Sequence, residues 1–473
     1  MTVLAILCLV LSIFLGGMKV GKYFGTDGIR DIANIKLTPS LSYKIAKSAT
    51  YVISKEIGHR PTILIGRDTR ISGNLIESAM ISGFLSCGAN VKLLGVIPTP
   101  AVAYLTKKLN ADIAVVISAS HNSYEFNGIK LFSKKGIKIP DELEEKIEDI
   151  MENYDLETLN VSHDKIGICE NLEYFQDEYV EYICSLFKEN ISKYLNNNFK
   201  VIIDTANGAT YKIAEKIFSK LNINYDIINN TPNGININKE CGSTHLENLK
   251  ENVINKKYDL GIAYDGDGDR CLLIDNFGNI VDGDIIITIL SKYFKEKGKL
   301  NNNTIVATIM SNLGLKKYAE NNNLNLVTSN VGDRYVIEKM IEGEYNLGGE
   351  QSGHVILSDY NTTGDGILTS LMVISCLLEK SISLNEASQI ITIYPQALVN
   401  AKVDNSIKKQ YKDNPNISNK IKELENEFLE NGRVIVRPSG TEPLIRVMIE
   451  GENIEYITQR ANELARFIEE NLK

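Results

Sequence analysis

Short apolar runs alternate with segments of helical spacing along most of this chain, and that alternation restricts the fold more than any other feature. Residues 62–65 read as a strand, 73–87 as a helix and 91–96 as a strand broken off by Pro98 and Pro100. The continuous run Ile113–Ile117 then reads as a buried strand. The pattern restarts at 201–204, with a helix from Tyr211 and a strand at 225–228, and again at 305–307, with a helix from Leu313 and a strand at 324–328. Such a series predicts parallel sheets covered by helices. The charged segment 141–155 reads as a solvated helix. The tail differs: 434–436, a Pro/Gly turn, 444–449 and a closing helix from Ile454 predict a small α+β unit. The expected class is therefore α/β, with three consecutive α/β domains of mainly parallel sheet and a smaller C-terminal α+β domain. The boundaries are drawn at 18–170, 171–281, 282–390 and 391–473.

At 473 residues, 43% of them hydrophobic, the chain can fill three or four cores. Its net charge of -9 argues against nucleic-acid binding, so any anionic ligand must be held by local clusters of Arg, Lys and backbone N–H. Seven cysteines, odd in number and without a C-x-x-C pair, point to reduced thiols and no structural zinc. Residues 3–15 are almost wholly apolar, with no charge before Lys19. That run falls short of the roughly 20 residues of a membrane span, and it lacks the basic start of a secretory signal. Residues 1–17 are expected to be an extension outside the folded unit, with a short membrane anchor as the second reading. Lys19 and Lys22 would then favour keeping the rest in the cytoplasm.

Several loops carry chemistry. The Ile113–Ile117 strand runs into Ser118-Ala119-Ser120-His121-Asn122, followed by Asn127-Gly128-Ile129-Lys130. A hydroxyl, an imidazole and an amine at a strand's carboxyl end are the parts of an activated nucleophile, although the same residues also form ordinary turns. Asp265-Gly266-Asp267-Gly268-Asp269-Arg270 follows the apolar run Leu260–Tyr264. Three carboxylates at alternate positions repel one another without a cation, and oxygen-only ligands suit Mg²⁺ or Ca²⁺. An EF-hand loop fails, since Arg270 stands where glycine is needed and Asn276 where glutamate is.

Arg437-Pro438-Ser439-Gly440-Thr441-Glu442-Pro443, with Arg446 beyond, is a compact anion cradle. Hydroxyls, close backbone N–H groups and two guanidinium forks converge there. Gly348-Gly349-Glu350-Gln351-Ser352-Gly353-His354 places Glu350 and Ser352 where they suit adjacent sugar hydroxyls. Gly66-Arg67-Asp68-Thr69-Arg70 and Gly25-Thr26-Asp27-Gly28-Ile29-Arg30 add polar loops with arginines. His59, His163 and His245 lack metal-ligand spacing and read as structural or surface residues.

Together these motifs resemble the α-D-phosphohexomutase superfamily, from about Tyr23 to the C-terminus. Phe24-Gly25-Thr26-Asp27-Gly28-Ile29-Arg30, the Ser120, Asp265 and Glu350 loops and Arg437-Pro438-Ser439-Gly440-Thr441-Glu442-Pro443 carry the resemblance. Asp204-Thr205-Ala206-Asn207-Gly208-Ala209, Val331-Gly332-Asp333-Arg334-Tyr335 and Thr362-Thr363-Gly364-Asp365-Gly366 add to it. Gln351 between Glu350 and Ser352 is similar to the glucosamine-phosphate branch, where the mannose and glucose branch usually carries Met. Two positions depart from the family: Ser123 replaces the usual Pro after Ser-His-Asn, and Asp31 the usual Gly after Gly-Ile-Arg. The first predicts a less rigid loop. The second costs energy if that position needs positive φ.

The resemblance implies four domains around a central cleft and a ping-pong exchange of phosphate. Ser120, as phosphoserine, would phosphorylate O1 of glucosamine 6-phosphate and later recover the phosphate from O6 of the 1,6-bisphosphate. The product would feed amino-sugar nucleotide and cell-wall precursor synthesis. One Mg²⁺ would sit on Asp265, Asp267, Asp269 and the Ser120 phosphate. Lys130, with Arg30 nearby, would be the acid/base, its pKa lowered by Mg²⁺ and Arg, and His121 would orient the loop. Glu350 and Ser352 would hold sugar hydroxyls. Arg437, Ser439, Gly440, Thr441 and Arg446 would hold the non-reacting phosphate. Glucosamine 1,6-bisphosphate would be intermediate and activator, and a cytoplasmic monomer or homodimer is expected. A phosphomannomutase/phosphoglucomutase activity, a non-catalytic sugar-phosphate sensor and an aspartyl phosphatase are the alternatives.

Overall fold

The computed structural model describes residues 21–472 except 26, 197, 430 and 440–442. The apolar extension at 1–17, Gly440 and Thr441 lie outside the described residues. Contacts divide the chain into two compact units. One runs through Thr308 and takes in Val327–Ala387; the other comprises Ile309–Leu326 and Ser388–Lys473.

In the first unit, a six-stranded sheet runs Ile29–Ile32, Phe126–Ser133, Ile113–Ile117, Thr62–Arg67, Asn90–Val96 and Cys169–Asn171. Its last four strands are parallel, as the alternation predicts, and the first two are antiparallel additions at one edge. Helices Pro39–Ile57 and Gly73–Ser86 bury Ile45, Ile53, Ile76, Met80 and Phe84 against Ile63, Ile65, Ile117 and Ile129. Each such side chain contributes about 1.5–3 kcal/mol on leaving water. The first helix opens with Thr38 Oγ1 accepting from Leu41 N at 3.1 Å and with a proline at its start. Its closing residue, Gly58, adopts φ 72°.

Two sequence readings need refinement. Pro98 and Pro100 do more than break a strand: they open helix Thr99–Lys108, whose first N–H groups need no intrahelical partner. The acidic helix Asp141–Asn153 is not solvated all round, since it buries Ile147, Ile150 and Met151.

A second sheet orders Ile280–Val281, Cys271–Asp275, Leu260–Tyr264, Lys200–Asp204 and Asn224–Ile228. A third orders Asn325–Ser329, Thr304–Thr308, Leu347–Gly349 and Val355–Leu357. In each of the three sheets the chain leaves a parallel strand, makes a loop and returns antiparallel. Ile113–Ile117 returns as Phe126–Ser133, Leu260–Tyr264 as Cys271–Asp275, and Leu347–Gly349 as Val355–Leu357. The serine loop, the aspartate loop and the glutamate loop are therefore the tips of three equivalent hairpins. The repeat is topological, and the sequence shows no clean copy of it.

In the second unit, Gln396–Lys402, Leu444–Gly451 and Gly432–Pro438 form an antiparallel sheet. Helices Pro415–Glu427 and Ile454–Asn471 cover it through Ile417, Leu424, Ile457, Leu464 and Ile468. No helix among the described residues is long and apolar enough to cross a membrane.

Candidate active site

Strand geometry explains how Lys130 reaches the loops. In Phe126–Ser133, Ile129 and Leu131 enter the domain core, so Lys130 projects from the opposite face. It stands opposite Val116 and is 1% exposed. The neighbouring strand pairs Ile29 with Ile129 and Arg30 with Gly128, which brings Asp27 and Arg30 to the same place. Lys130 Nζ lies 3.1 Å from Asp27 Oδ2, 3.1 Å from Asp267 Oδ2 and 3.7 Å from Asp269 Oδ2. Arg30 donates to Asn122 Oδ1 at 3.0 Å and pairs with Asp27.

Ser120 is buried, with φ 49°. Its N–H donates to Ser118 Oγ at 2.9 Å, and Ser118 Oγ donates to Asp68 Oδ2 at 2.6 Å. Its own Oγ donates to Asp265 Oδ2 at 2.6 Å and lies 3.4 Å from His121 Nδ1. Burial, with Arg270 and Arg30 close by, pushes His121 down to about 4, so the imidazole is neutral near pH 7. Arg70, itself buried against Asp68 at 2.9 Å, donates to the carbonyls of Ser120 at 2.9 Å and Asn122 at 2.8 Å and to that of Ser123. That grip holds the loop where the family's proline is missing. Asp31 lies in extended strand backbone rather than at positive φ, so the second departure stores no strain.

The three aspartates offer ligand atoms that all lie within 4.8 Å of one another, and all three side chains are buried. Among the described residues, Asp267 Oδ1 and Asp269 Oδ1 have no hydrogen-bond partner. Burial together with Asp269 and Asp267 pushes the Asp265 carboxyl well up. Burial pushes Asp269 the same way, but Lys130, His354 and Arg270 hold it well below its ordinary range. Crowded, partly unpartnered carboxylates in a buried pocket fit a divalent cation. Thr99 Oγ1 and Lys130 Nζ fix Asp267 Oδ2 from two sides, at 2.7 and 3.1 Å.

The electrostatics of Lys130 run against the sequence expectation. Burial lowers its pKa, but Asp267, Asp27 and Asp269 outweigh burial and Arg30 and raise it well above the usual lysine value. The protein groups alone therefore keep the amine protonated, and the expected lowering does not come from them. Asp27 is the counterpart: burial raises it, but Lys130, Lys138 and Arg30 hold it far below the carboxylate range.

Glu350 Oε1 accepts from Gly332 N at 2.9 Å, and Ser352 Oγ is buried without a hydrogen-bond partner among the described residues. Gly353 O accepts from Cys271 N at 3.0 Å, which ties this loop to the aspartate hairpin. His354 Nε2 accepts from Gly364 N at 3.1 Å, so its proton sits on Nδ1, 3.6 Å from Asp269 Oδ2. In the second unit Arg437 and Arg446 are direct cross-strand partners. Ser439 is buried there, its carbonyl accepting from Lys408 Nζ at 2.5 Å. His59, His163 and His245 lie at the surface.

The first unit thus brings Ser120, His121, Lys130, Arg30 and the three aspartates together. Asp27, Asp68, Arg70, Thr99, Asn238 and His354 join them without having been singled out. Three of these, Asp27, Asp68 and Arg70, sit in loops already marked as polar and arginine-bearing, and His354 closes the glutamate motif. Thr99 and Asn238 carry no recognisable signal.

Four family models match in chain order. Phosphoglucomutase/phosphomannomutase alpha/beta/alpha domain I matches residues 21–158, domain II 177–278, domain III 282–394 and the C-terminal domain 398–467. A phosphoglucosamine mutase of Acetivibrio thermocellus is 49% identical over 453 residues, covering 96% of this chain and 100% of that one. Among solved structures, a phosphoglucomutase/phosphomannomutase family protein from Burkholderia thailandensis superimposes with a TM-score of 0.76 at 19% identity, over 93% of this chain and 97% of that one. Aspergillus fumigatus N-acetylphosphoglucosamine mutase, in complex with GlcNAc-6P and magnesium, gives 0.69 at 18%, over 95% and 96%. The structural likeness shows the shared fold, and the close sequence relatives narrow it further: the chain belongs to the phosphoglucosamine mutase family of the α-D-phosphohexomutase superfamily.

Proposed function

We propose that the protein interconverts glucosamine 6-phosphate and glucosamine 1-phosphate through a phosphorylated Ser120 and glucosamine 1,6-bisphosphate. The observation that carries this reading is the Ser120 hydroxyl 2.6 Å from Asp265, in a buried triad of aspartates that Lys130 also touches. A binder needs no nucleophile there, and an aspartyl phosphatase needs no serine.

Asp265, Asp267 and Asp269 would hold Mg²⁺, with Ser120 as the adjoining oxygen donor. When bound, the ion would supply positive charge to offset the negative charge on a phosphoryl group in transfer. The remaining roles belong to the chain. In the forward half-reaction the Ser120 Oγ–P bond breaks as an O1–P bond forms, and the O1 proton must leave. The Ser120 Oγ left behind gains a proton as O1 loses one, and Lys130, which its carboxylates keep protonated, is assigned to donate the first and then accept the second. Its contacts with Asp27 and Asp267 hold its Nζ in place for that task. Arg30 keeps a cation against the serine loop through Asn122. His121, neutral and beside Ser120 Oγ, orients the hydroxyl. Glu350 and Ser352 bind sugar hydroxyls, the latter with a buried oxygen still open to a donor. Arg437, Ser439, Gly440, Thr441 and Arg446 bind the phosphate not in transfer. The scattered free cysteines suit a reducing cytoplasm, where the product would feed amino-sugar nucleotide synthesis.

A coupled assay for glucosamine 1-phosphate, with glucose 6-phosphate and mannose 6-phosphate as competitors, tests the substrate. A site that pairs with the 2-ammonium should favour glucosamine 6-phosphate over glucose 6-phosphate in kcat/KM by at least about 100-fold, roughly 2.7 kcal/mol. Equal values would move the activity to the phosphomannomutase/phosphoglucomutase branch. Ser120→Ala should be inactive yet folded, and the Ser120 peptide of active protein should carry one phosphate. Near wild-type turnover by Ser120→Ala would remove the mechanism.

A further inference from the structure

We infer that Asn238 is a positioning residue for Ser120, fixing the nucleophile's loop to the hairpin that carries the aspartates. The inference rests on Ser120 being the phosphoryl carrier. Ser120 sits at φ 49°, a conformation that strains a non-glycine residue and persists only when its surroundings impose it. Two buried side chains impose it here. Arg70 grips the Ser120 and Asn122 carbonyls from within the same domain, through a guanidinium anchored on Asp68. Asn238, 118 residues further along the chain, donates its Nδ2 to the same two carbonyls at 2.8 and 2.9 Å. Arg70 therefore shapes the loop, and Asn238 sets where that loop lies relative to the second domain.

The contact at Gly266 makes the link direct. A Cβ on Gly266 would meet Ser120 O at 2.5 Å and Asn238 Nδ2 at 2.8 Å. Serine carbonyl, asparagine amide and the backbone between Asp265 and Asp267 thus occupy one contact, which spaces Ser120 Oγ from Asp265. Asn238 is itself held from behind. Its N–H donates to Ala206 O at 2.9 Å, and Ala209 N donates to Gly266 O at 2.8 Å. The buried Asp204 carboxylate shapes that 204–209 loop by accepting from Ala206 N at 2.8 Å, Gly242 N at 3.0 Å and Asn229 Nδ2 at 3.0 Å. One loop therefore supports both the metal hairpin and the amide that places the nucleophile, a use for the Asp204 motif that the chemistry above leaves unassigned.

Two variants of the full-length enzyme test this. Asn238 has φ 56°, which glycine and aspartate both tolerate. Asn238→Gly deletes the amide without backbone strain. Asn238→Asp keeps its shape but turns an acceptor toward two carbonyls. The expected result is a kcat lowered about 10-fold in the glycine variant and about 100-fold in the aspartate variant, since small misplacements of reacting groups cost that much. KM for glucosamine 6-phosphate should stay within about threefold, because the substrate contacts lie elsewhere. The glycine variant should melt within a few degrees of wild type. Wild-type kcat in Asn238→Asp would overturn the assignment. So would a collapse of melting temperature in both variants, which would make Asn238 a packing residue. Ser120→Ala runs alongside: if it is inactive while the Asn238 variants are fully active, the positioning role alone fails. If it is active, the phosphoserine reading beneath it fails.

Discussion

Replacing Thr99 by valine should weaken Mg²⁺ binding without disturbing the fold. Thr99 Oγ1 donates to Asp267 Oδ2 at 2.7 Å, and both side chains are 1% exposed. Valine keeps the volume and β-branching, and the backbone N–H of residue 99 can still donate to the Asp267 carbonyl, now at 2.9 Å. What is lost is one buried hydrogen bond to a charged acceptor, worth about 1.5–3 kcal/mol. Asp267 would keep Lys130 on the same oxygen, but one tether leaves the carboxylate free to turn and its Oδ1 no longer aimed. At about 1.4 kcal/mol per tenfold, the expected weakening is about 10- to 100-fold, the range typical of groups that orient metal ligands. Calorimetric titration of Mg²⁺ into wild type and Thr99→Val reads the effect directly, and kcat should recover at high Mg²⁺. An unchanged dissociation constant would refute the argument that Thr99 aims Asp267.

Glu144 carries a pH dependence. Burial pushes its carboxyl from 4.5 up to about 8, with Asp141 adding to the rise and Arg334 and Lys138 opposing it. The folded chain then holds a proton that the unfolded chain has released, so stability is fully present below about pH 4.5 and falls as pH rises toward about 8. Glu144→Gln mimics the neutral form and should flatten that decline in melting temperature; parallel curves for the two proteins would exclude Glu144 as its source. At Asp31 the backbone is extended, and the side chain accepts from Ile32 N at 2.8 Å. Restoring the family's glycine there should lower stability by about 0.5–1 kcal/mol in denaturant titrations, and a gain would show that the position is strained.

Much of the architecture was legible because it is local. Continuous apolar runs such as Ile113–Ile117 and Leu260–Tyr264 announce strands buried on both faces, and abrupt changes to glycine and polar residues mark where the chain turns back. The chemical loops were legible for the same reason: Ser120, the three aspartates, and Glu350 with Ser352 each cluster within a few residues at a strand end. The helix Pro39–Ile57 is less legible although Thr38, Pro39 and Gly58 bracket it, because Ser42, Lys47, Ser48 and Thr50 lie on its buried face and blur the apolar stripe.

Tertiary structure alone decided which polar groups meet. Thr99 and Asp267 are 168 residues apart, and Ser120 and Asn238 are 118 apart, so no spacing in the chain relates them. The sign of the Lys130 shift was decided there too. An arginine and an expected metal ion suggested a lowered pKa, whereas folding surrounds the amine with Asp27, Asp267 and Asp269 from two separate loops. By itself, the sequence determined the strands, the hairpin tips and the chemical groups they carry, since backbone sterics and side-chain periodicity act over a few residues. Distances, burial and charge balance at the site belong to the fold, because Coulomb and hydrogen-bond energies depend on separation in space and on exclusion of water rather than on position along the chain.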